Sequence, residues 1–381
     1  MVIAGSLAQK AYYGGHSWVI LQYVLGFGRL GWDVLLLDRL EPEMCRNDEG
    51  QPCGLGESTN LAYFLDVVEG FGLGDSFALF GSESEPVVGL SRRQIVERIR
   101  RSALVLDVMG FFRDEEVTAE APTRVFLDID PGFSQMWLAL GLADTLTGYD
   151  AHVTIGERIG QDSCGVPTCG IDWVTTRQPV VLGFWPVATE NSDVFTSVAS
   201  WRGSYAPIDY DGKAYGLRVH EFRKFARLPR ASGRRFEVAL DIHPAEVDDL
   251  NLLAANGWAL VDPKAVTGNP WSYRRYVQSS LAELMIAKNM YVEAQSGWFS
   301  DRSVCYLASG KPVVAQDTGL GGLYPADEGL LTFRTPEEAL FAVEAVCTDY
   351  ARHARAARAL ADDCFDSDKV LAELLAHLSV A

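Results

Sequence analysis

Short, wholly apolar runs alternate along this chain with stretches of helical periodicity, and that alternation restricts the fold more than any other feature. Residues 2–7 form the first run, a loop holding Gly14 and Gly15 leads into a continuous apolar helix over 17–30, Gly31 closes it, and 34–37 is a second buried run. Strands apolar on both faces belong to parallel sheets covered by helices on each side. The opening therefore reads as a βαβ unit. The pattern continues with helices at 61–71 and 92–101, strands at 104–108 and 125–129, a helix at 135–146 and a strand at 152–155. Residues 178–186 are extended and punctuated by prolines, and 189–193 is a polar break. Alternation then resumes: strands at 195–199, 236–240, 259–261, 290–293 and 312–315, with helices at 221–226, 244–256, 272–287 and 301–309 and a helical tail over 336–378. The chain has 381 residues, beyond the ~250–300 at which a single core stops growing. Two α/β domains are expected, the first over 1–185 and the second over 186–355.

Composition narrows the partners. A formal charge of −18 repels nucleic acid and anionic membranes over most of the surface, so an anion must be held by local, pre-organised donors. No apolar run approaches the ~18–20 residues of a membrane span, and no basic stretch precedes an apolar one at the start, so the expected location is cytoplasmic. The seven cysteines, at 45, 53, 164, 169, 305, 347 and 364, are odd in number and scattered, as free thiols are. Cys164 and Cys169 lack a second pair or a histidine cluster, so no metal is expected.

Gly26, Gly28 and Gly31 satisfy the spacing G-x-G-x-x-G, but a dinucleotide fingerprint follows a strand and opens a helix. Here the glycines close a helix and precede a strand, which suits close packing and a C-cap. The stronger local signal is residues 296–319, which read as a turn, a helix starting near Asp301, a cap at Gly310, a buried strand and a glycine turn. Free N–H groups of a first helical turn favour a phosphate, and Arg302 adds a bidentate donor. An ordinary helix capped by Ser300 or Asp301 fits the same residues.

Gly297 to Gly319, taken with Gly14 to Trp18, Leu127 to Gly132 with Gln135, and the segment from Ala282 to Lys288, resembles the bacterial GT-B glycosyltransferase-like proteins over most of the chain. The resemblance implies two Rossmann-like domains with a deep cleft between them and C-terminal helices, here 356–381, crossing back to the first domain. It implies a nucleoside diphosphate sugar as co-substrate, no resident cofactor, and a small-molecule acceptor, with no nucleic acid or membrane partner and a homodimer left open. Ser300, Asp301, Arg302 and Ser303 match the turn that holds the diphosphate, and Asp317, Thr318 and Gly319 the turn facing the donor sugar. Glu283 and Lys288 fall on the preceding helix, where nucleotide or phosphate is held. Two departures stand out: the His-Gly-Gly of many antibiotic glycosyltransferases reads Ser296-Gly297-Trp298, and the glutamate of many retaining enzymes is Cys305. A nucleotide-sugar epimerase or phosphorylase on the same fold, or a non-catalytic nucleotide-sugar-binding protein, remains an alternative.

An inverting sugar transfer needs a base for the acceptor proton. His16, after Gly14 and Gly15 at the start of the first helix, is the candidate, with Asp130 or Asp128 at a strand end to orient it. A satisfied helix-start histidine and two helix-capping aspartates are the plainer alternatives. Gly14, Gly15, Trp18, Asp128 and Gln135 are placed on the acceptor side of the cleft. The basic stretch 218–235 reads as a solvated helix face, because Phe222, Phe225 and Ala226 lie at helical spacing opposite the charges. Trp18, Trp185 and Trp298 are the tryptophans placed near the cleft.

Overall fold

The opening unit forms as its pattern requires. Strands β1 (Val2–Ala4) and β2 (Leu35–Arg39) pair in parallel with Val2 opposite Leu35, and the helix Gly14–Arg29 connects them. This is a computed structural model that describes residues 1–82, 85–112, 114–189 and 192–380. Six more strands complete the first sheet: β3 (Phe77–Phe80), β4 (Pro86–Gly89), β5 (Val105–Val108), β6 (Arg124–Asp128), β7 (Ala151–Thr154) and β8 (Trp173–Thr175). Their order is β4-β3-β2-β1-β5-β6-β7-β8, parallel except where β4 runs against β3.

The second domain holds β9 (Val194–Ser200), a hairpin of β10 (Ile208–Tyr210) and β11 (Lys213–Tyr215), β12 (Arg235–Asp241), β13 (Trp258–Val261), β14 (Ala282–Met285), β15 (Val313–Gln316) and β16 (Leu330–Phe333). The hairpin apart, these form a parallel sheet in the order β13-β12-β9-β14-β15-β16. In each sheet the strand order reverses at the first strand, between β1 and β5 and between β9 and β14, and such switch points open a crevice at the carboxyl ends of the strands. Of the expected polar break at 189–193, Glu190 and Asn191 lie outside the described residues.

Three expected elements are corrected. The helix expected over 272–287 ends early, as Pro270–Ser279, and 282–285 is the buried strand β14 between β9 and β15. Glu283 is therefore on a strand, and Lys288 caps the start of a helix, Asn289–Ala294, where a strand was expected at 290–293. A short buried apolar run carries no periodicity that separates strand from helix. The helix expected over 135–146 is also shorter, Phe133–Ala139.

The tail returns to the first domain. Helix Ser367–His377 lies on helix Gly14–Arg29, joined by the ion pair Arg29–Asp368 at 2.8 Å. A Cβ on Gly26 would stand 2.5 Å from the Leu371 Cδ1, so this glycine permits helix contact. The largest apolar cluster crosses between the domains through Trp18, Trp185, Tyr273 and Tyr306. Among the described residues no helix is long and apolar enough to cross a membrane.

Candidate functional site

A cavity of about 770 Å³ lies where the carboxyl edges of the two sheets face each other. The first domain contributes residues that follow β1 (Lys10, Tyr12, Tyr13, Gly14, Gly15, His16), β5 (Met109, Phe111) and β6 (Ile129, Asp130, Phe133). The second contributes the segments after β9, β12, β13 and β14, together with Arg218, Trp298, Ser300, Asp301 and Arg302. Gly14 lets the first helix start against the second domain, since a Cβ there would sit 2.3 Å from the Asn269 carbonyl and 2.5 Å from that of Thr267.

Of the second-domain cations that line this cavity, Lys288, Arg302 and Arg218 are in different states. Lys288 is claimed across the cleft: its Nζ donates to both carboxylate oxygens of Asp130 at 2.8 Å. It also sits 5.2 to 5.6 Å from the ring centroids of Phe133, Tyr205 and Tyr291, a cation–π cage drawn from both domains. Arg302 is buried and committed, with Nε donating to Glu283 and Nη1 to the Val198 carbonyl at 2.8 Å. Its Nη2 and the Glu283 Oε2 are buried without a hydrogen-bond partner among the described residues. Arg218 is equally buried, but its described hydrogen bond goes to the Ile286 carbonyl, and no carboxylate pairs with it among the described residues. Burial and the nearby Arg302 charge lower the Arg218 pKa to about 9. A guanidinium so placed favours an incoming anion.

The helix at residues Asp301–Ala308 forms at its expected start, and its N-terminus reaches the cavity. The first turn is already partly served, because Ser300 Oγ accepts from the Arg302 N–H at 3.2 Å. Asp301 adds a carboxyl whose pKa is raised, mainly by burial. Ser303 is buried and does not line the cavity.

The turn expected to face a sugar serves the fold instead. Asp317 Oδ1 accepts from the N–H groups of Gly319 and Leu320 at 3.0 and 2.9 Å, and its Oδ2 from Arg334 at 2.7 Å. Thr318 Oγ1 donates to the Trp298 carbonyl at 2.5 Å, and Arg158 of the first domain donates to the Gly319 carbonyl. None of Asp317, Thr318 and Gly319 lines the cavity, and neither does Glu283.

Among the described residues no aspartate hydrogen-bonds His16. Its Nε2 lies 3.0 Å from Ser6 Oγ, and burial with the Lys10 charge lowers its pKa to about 4. The imidazole is neutral at pH 7 and a weak base. Asp130 is held by Lys288, whereas Asp128 is fully buried beneath the site, accepting from Gln135 Nε2 at 2.6 Å and Thr154 Oγ1 at 3.0 Å. Burial raises the Asp128 pKa to about 6. Asp128 and Gln135 thus shape the β6 turn from below. Trp18 and Trp185 pack between the domains away from the cavity, and Trp298 reaches it, stacked on Tyr291 with centroids 4.1 Å apart. Sequence reasoning passed over Arg218, because an amphipathic helix pattern reports which face is apolar and not that an arginine on it is enclosed. The signal it could have used is Leu217–Arg218–Val219, a charge set between apolar residues.

No protein-family model matches the chain, and no curated protein matches its sequence. Solved structures do. Anabaena HepE in complex with UDP and glucose is 13% identical, with 100% of this chain and 99% of that chain covered and a TM-score of 0.59. The alpha-glucosyltransferase in complex with UDP and a 13-mer DNA containing a HMU base is 11% identical, with 99% and 98% covered and a TM-score of 0.57. Sucrose-phosphate synthase from Thermosynechococcus elongatus is 12% identical, with 99% and 98% covered and a TM-score of 0.52. At this identity the likeness is one of fold: the chain has the GT-B architecture of two Rossmann-like domains.

Proposed function

We propose that this chain of GT-B fold is a glycosyltransferase that moves a sugar from a nucleoside diphosphate sugar to a hydroxyl of a small-molecule acceptor. The observation that carries the reading is Arg218, a buried guanidinium on the cleft with only a carbonyl partner described and a pKa lowered to about 9. A diphosphate is an anion that such a guanidinium binds. The UDP held by HepE and by alpha-glucosyltransferase in the same fold supports that ligand class. In the reaction the bond from the anomeric carbon to the diphosphate oxygen breaks, a bond to the acceptor oxygen forms, and the acceptor proton passes to a base. Arg218 and Lys288 stabilise the charge that develops on the leaving diphosphate, with the start of the helix at Asp301 behind them. His16 and Asp130, first-domain groups that line the same cavity, are the candidates for the base. Enclosure by both domains keeps water from the donor.

Calorimetric titration with UDP, dTDP, GDP and ADP tests this. One nucleotide should bind, and Arg218→Met should weaken it at least about 10-fold, the loss expected of a charge-assisted contact. Arg218→Met strands no described carboxylate, so it probes the site without emptying a buried ion pair. Failure of every nucleotide to bind sinks the proposal.

A further inference from the structure

We propose that the acceptor is a planar, apolar alcohol or phenol, an inference that rests on the glycosyltransferase reading. The wall of the cleft built by the first domain includes Tyr12, Tyr13, Val19, Met109, Phe111 and Ile129, beside the polar side chains of Lys10, His16 and Asp130. Tyr12 and Tyr13 are 39% and 46% exposed, and both open onto the cavity. Polar groups on this wall are few and mostly engaged. His16 is with Ser6, Asp130 is with Lys288, and the Tyr13 hydroxyl faces Asp241, which together with burial raises its pKa.

Backbone geometry points to the same wall independently. Among the described residues only Tyr12 and Met109 combine a large apolar side chain with a positive φ, at 67° and 60°. Such residues persist where the surrounding structure holds them, and they gather at ligand sites. Here the left-handed bends lie in the segments that follow β1 and β5, and both side chains line the cleft.

A saccharide acceptor lying on this wall would turn several hydroxyls towards Val19, Met109, Phe111 and Ile129, side chains that give them no strong hydrogen-bond partner. A nucleic acid would bring its phosphates to a chain of net charge −18 whose only lysine on this wall is Lys10. The 770 Å³ must also hold the nucleotide sugar, which leaves room for one compact molecule. A flat ring system carrying one hydroxyl satisfies all three conditions. Its faces lie on the aromatic wall, and its hydroxyl points to His16 and Asp130.

The test offers 4-methylumbelliferone, cellobiose and a short DNA duplex as acceptors, with the sugar donor of whichever nucleotide binds, and follows glycosylated product by mass spectrometry. Transfer to the phenol is expected, with its KM raised at least tenfold in Phe111→Ser while nucleotide affinity is unchanged. Met109→Gly relieves the positive φ but deletes a buried side chain, so its nucleotide binding is measured first to show that it is folded; it should raise the same KM. Preference for cellobiose or DNA, no transfer to the phenol by protein that binds nucleotide, or an unmoved phenol KM in both variants overturns the inference and leaves the glycosyltransferase reading standing. Absence of nucleotide binding removes both.

Discussion

Asp130→Asn should tighten nucleoside diphosphate binding while slowing transfer. In the structure Lys288 is bonded to both Asp130 oxygens at 2.8 Å, so a diphosphate that recruits Lys288 must first displace this carboxylate. The two side chains are 22% and 18% exposed, which sets the pair between exposed bridges worth ~0.2–1 kcal/mol and buried ones whose disruption costs ~3–5 kcal/mol. Asparagine keeps one acceptor and removes the charge, so about 1–1.5 kcal/mol of competition is lost, or roughly 5- to 12-fold in affinity. The caged ammonium stays among Phe133, Tyr205 and Tyr291 and is left wanting an anion. Calorimetry of wild type and variant at one fixed ionic strength reads the change directly. Equal or weaker nucleotide binding by Asp130→Asn would refute the competition, and undiminished turnover would refute a catalytic part for Asp130.

Other substitutions probe the fold around the site. Arg302→Ala strands Glu283, which is 0% exposed, so urea denaturation should show a loss of about 3–5 kcal/mol; a loss under ~1 kcal/mol would mean that the pair is not buried in solution. Gly14→Ala drives a Cβ to 2.3 Å from the Asn269 carbonyl, and an overpacking cost of about 1–3 kcal/mol should appear as a lower melting temperature; an unchanged one would show that the domains do not meet there. His16 has a folded pKa of about 4 against an ordinary 6.5. Above pH 6.5 neither state is charged; as pH falls towards about 4 the unfolded chain takes up the proton first, and stability is lost. Wild type should therefore lose about 1 kcal/mol more than His16→Gln between pH 7 and pH 5, after discounting for partial exposure. Asp38 and Asp128, raised by burial to about 7 and about 6, act with the opposite sign in both proteins and cancel in that difference. Equal pH slopes for the two proteins would place His16 in contact with water.

The alternation of buried runs and helices was legible in the sequence because each rests on local periodicity. So were the helix-ending role of Gly26 to Gly31 and the helix starting at Asp301 with Ser300 as its cap. Reading stalled at β14, where four buried residues look alike in strand and helix. The resemblance to GT-B proteins brought Lys288, Arg302 and Asp130 to one cleft, but with roles the packing alters: Arg302 is tied to Glu283, the Asp317 to Gly319 turn is held by Arg334 and Arg158, and Asp130 answers to Lys288 rather than His16. Local pattern determined most of the strands and helices and that both sheets are mainly parallel. Tertiary structure decided which charges are spent and which are left for a ligand, because partners such as Arg218 and Ile286, or Asp130 and Lys288, meet only when distant strands close into sheets and the two sheets face each other. A charge reveals whether it is satisfied only through the neighbours that burial assigns to it.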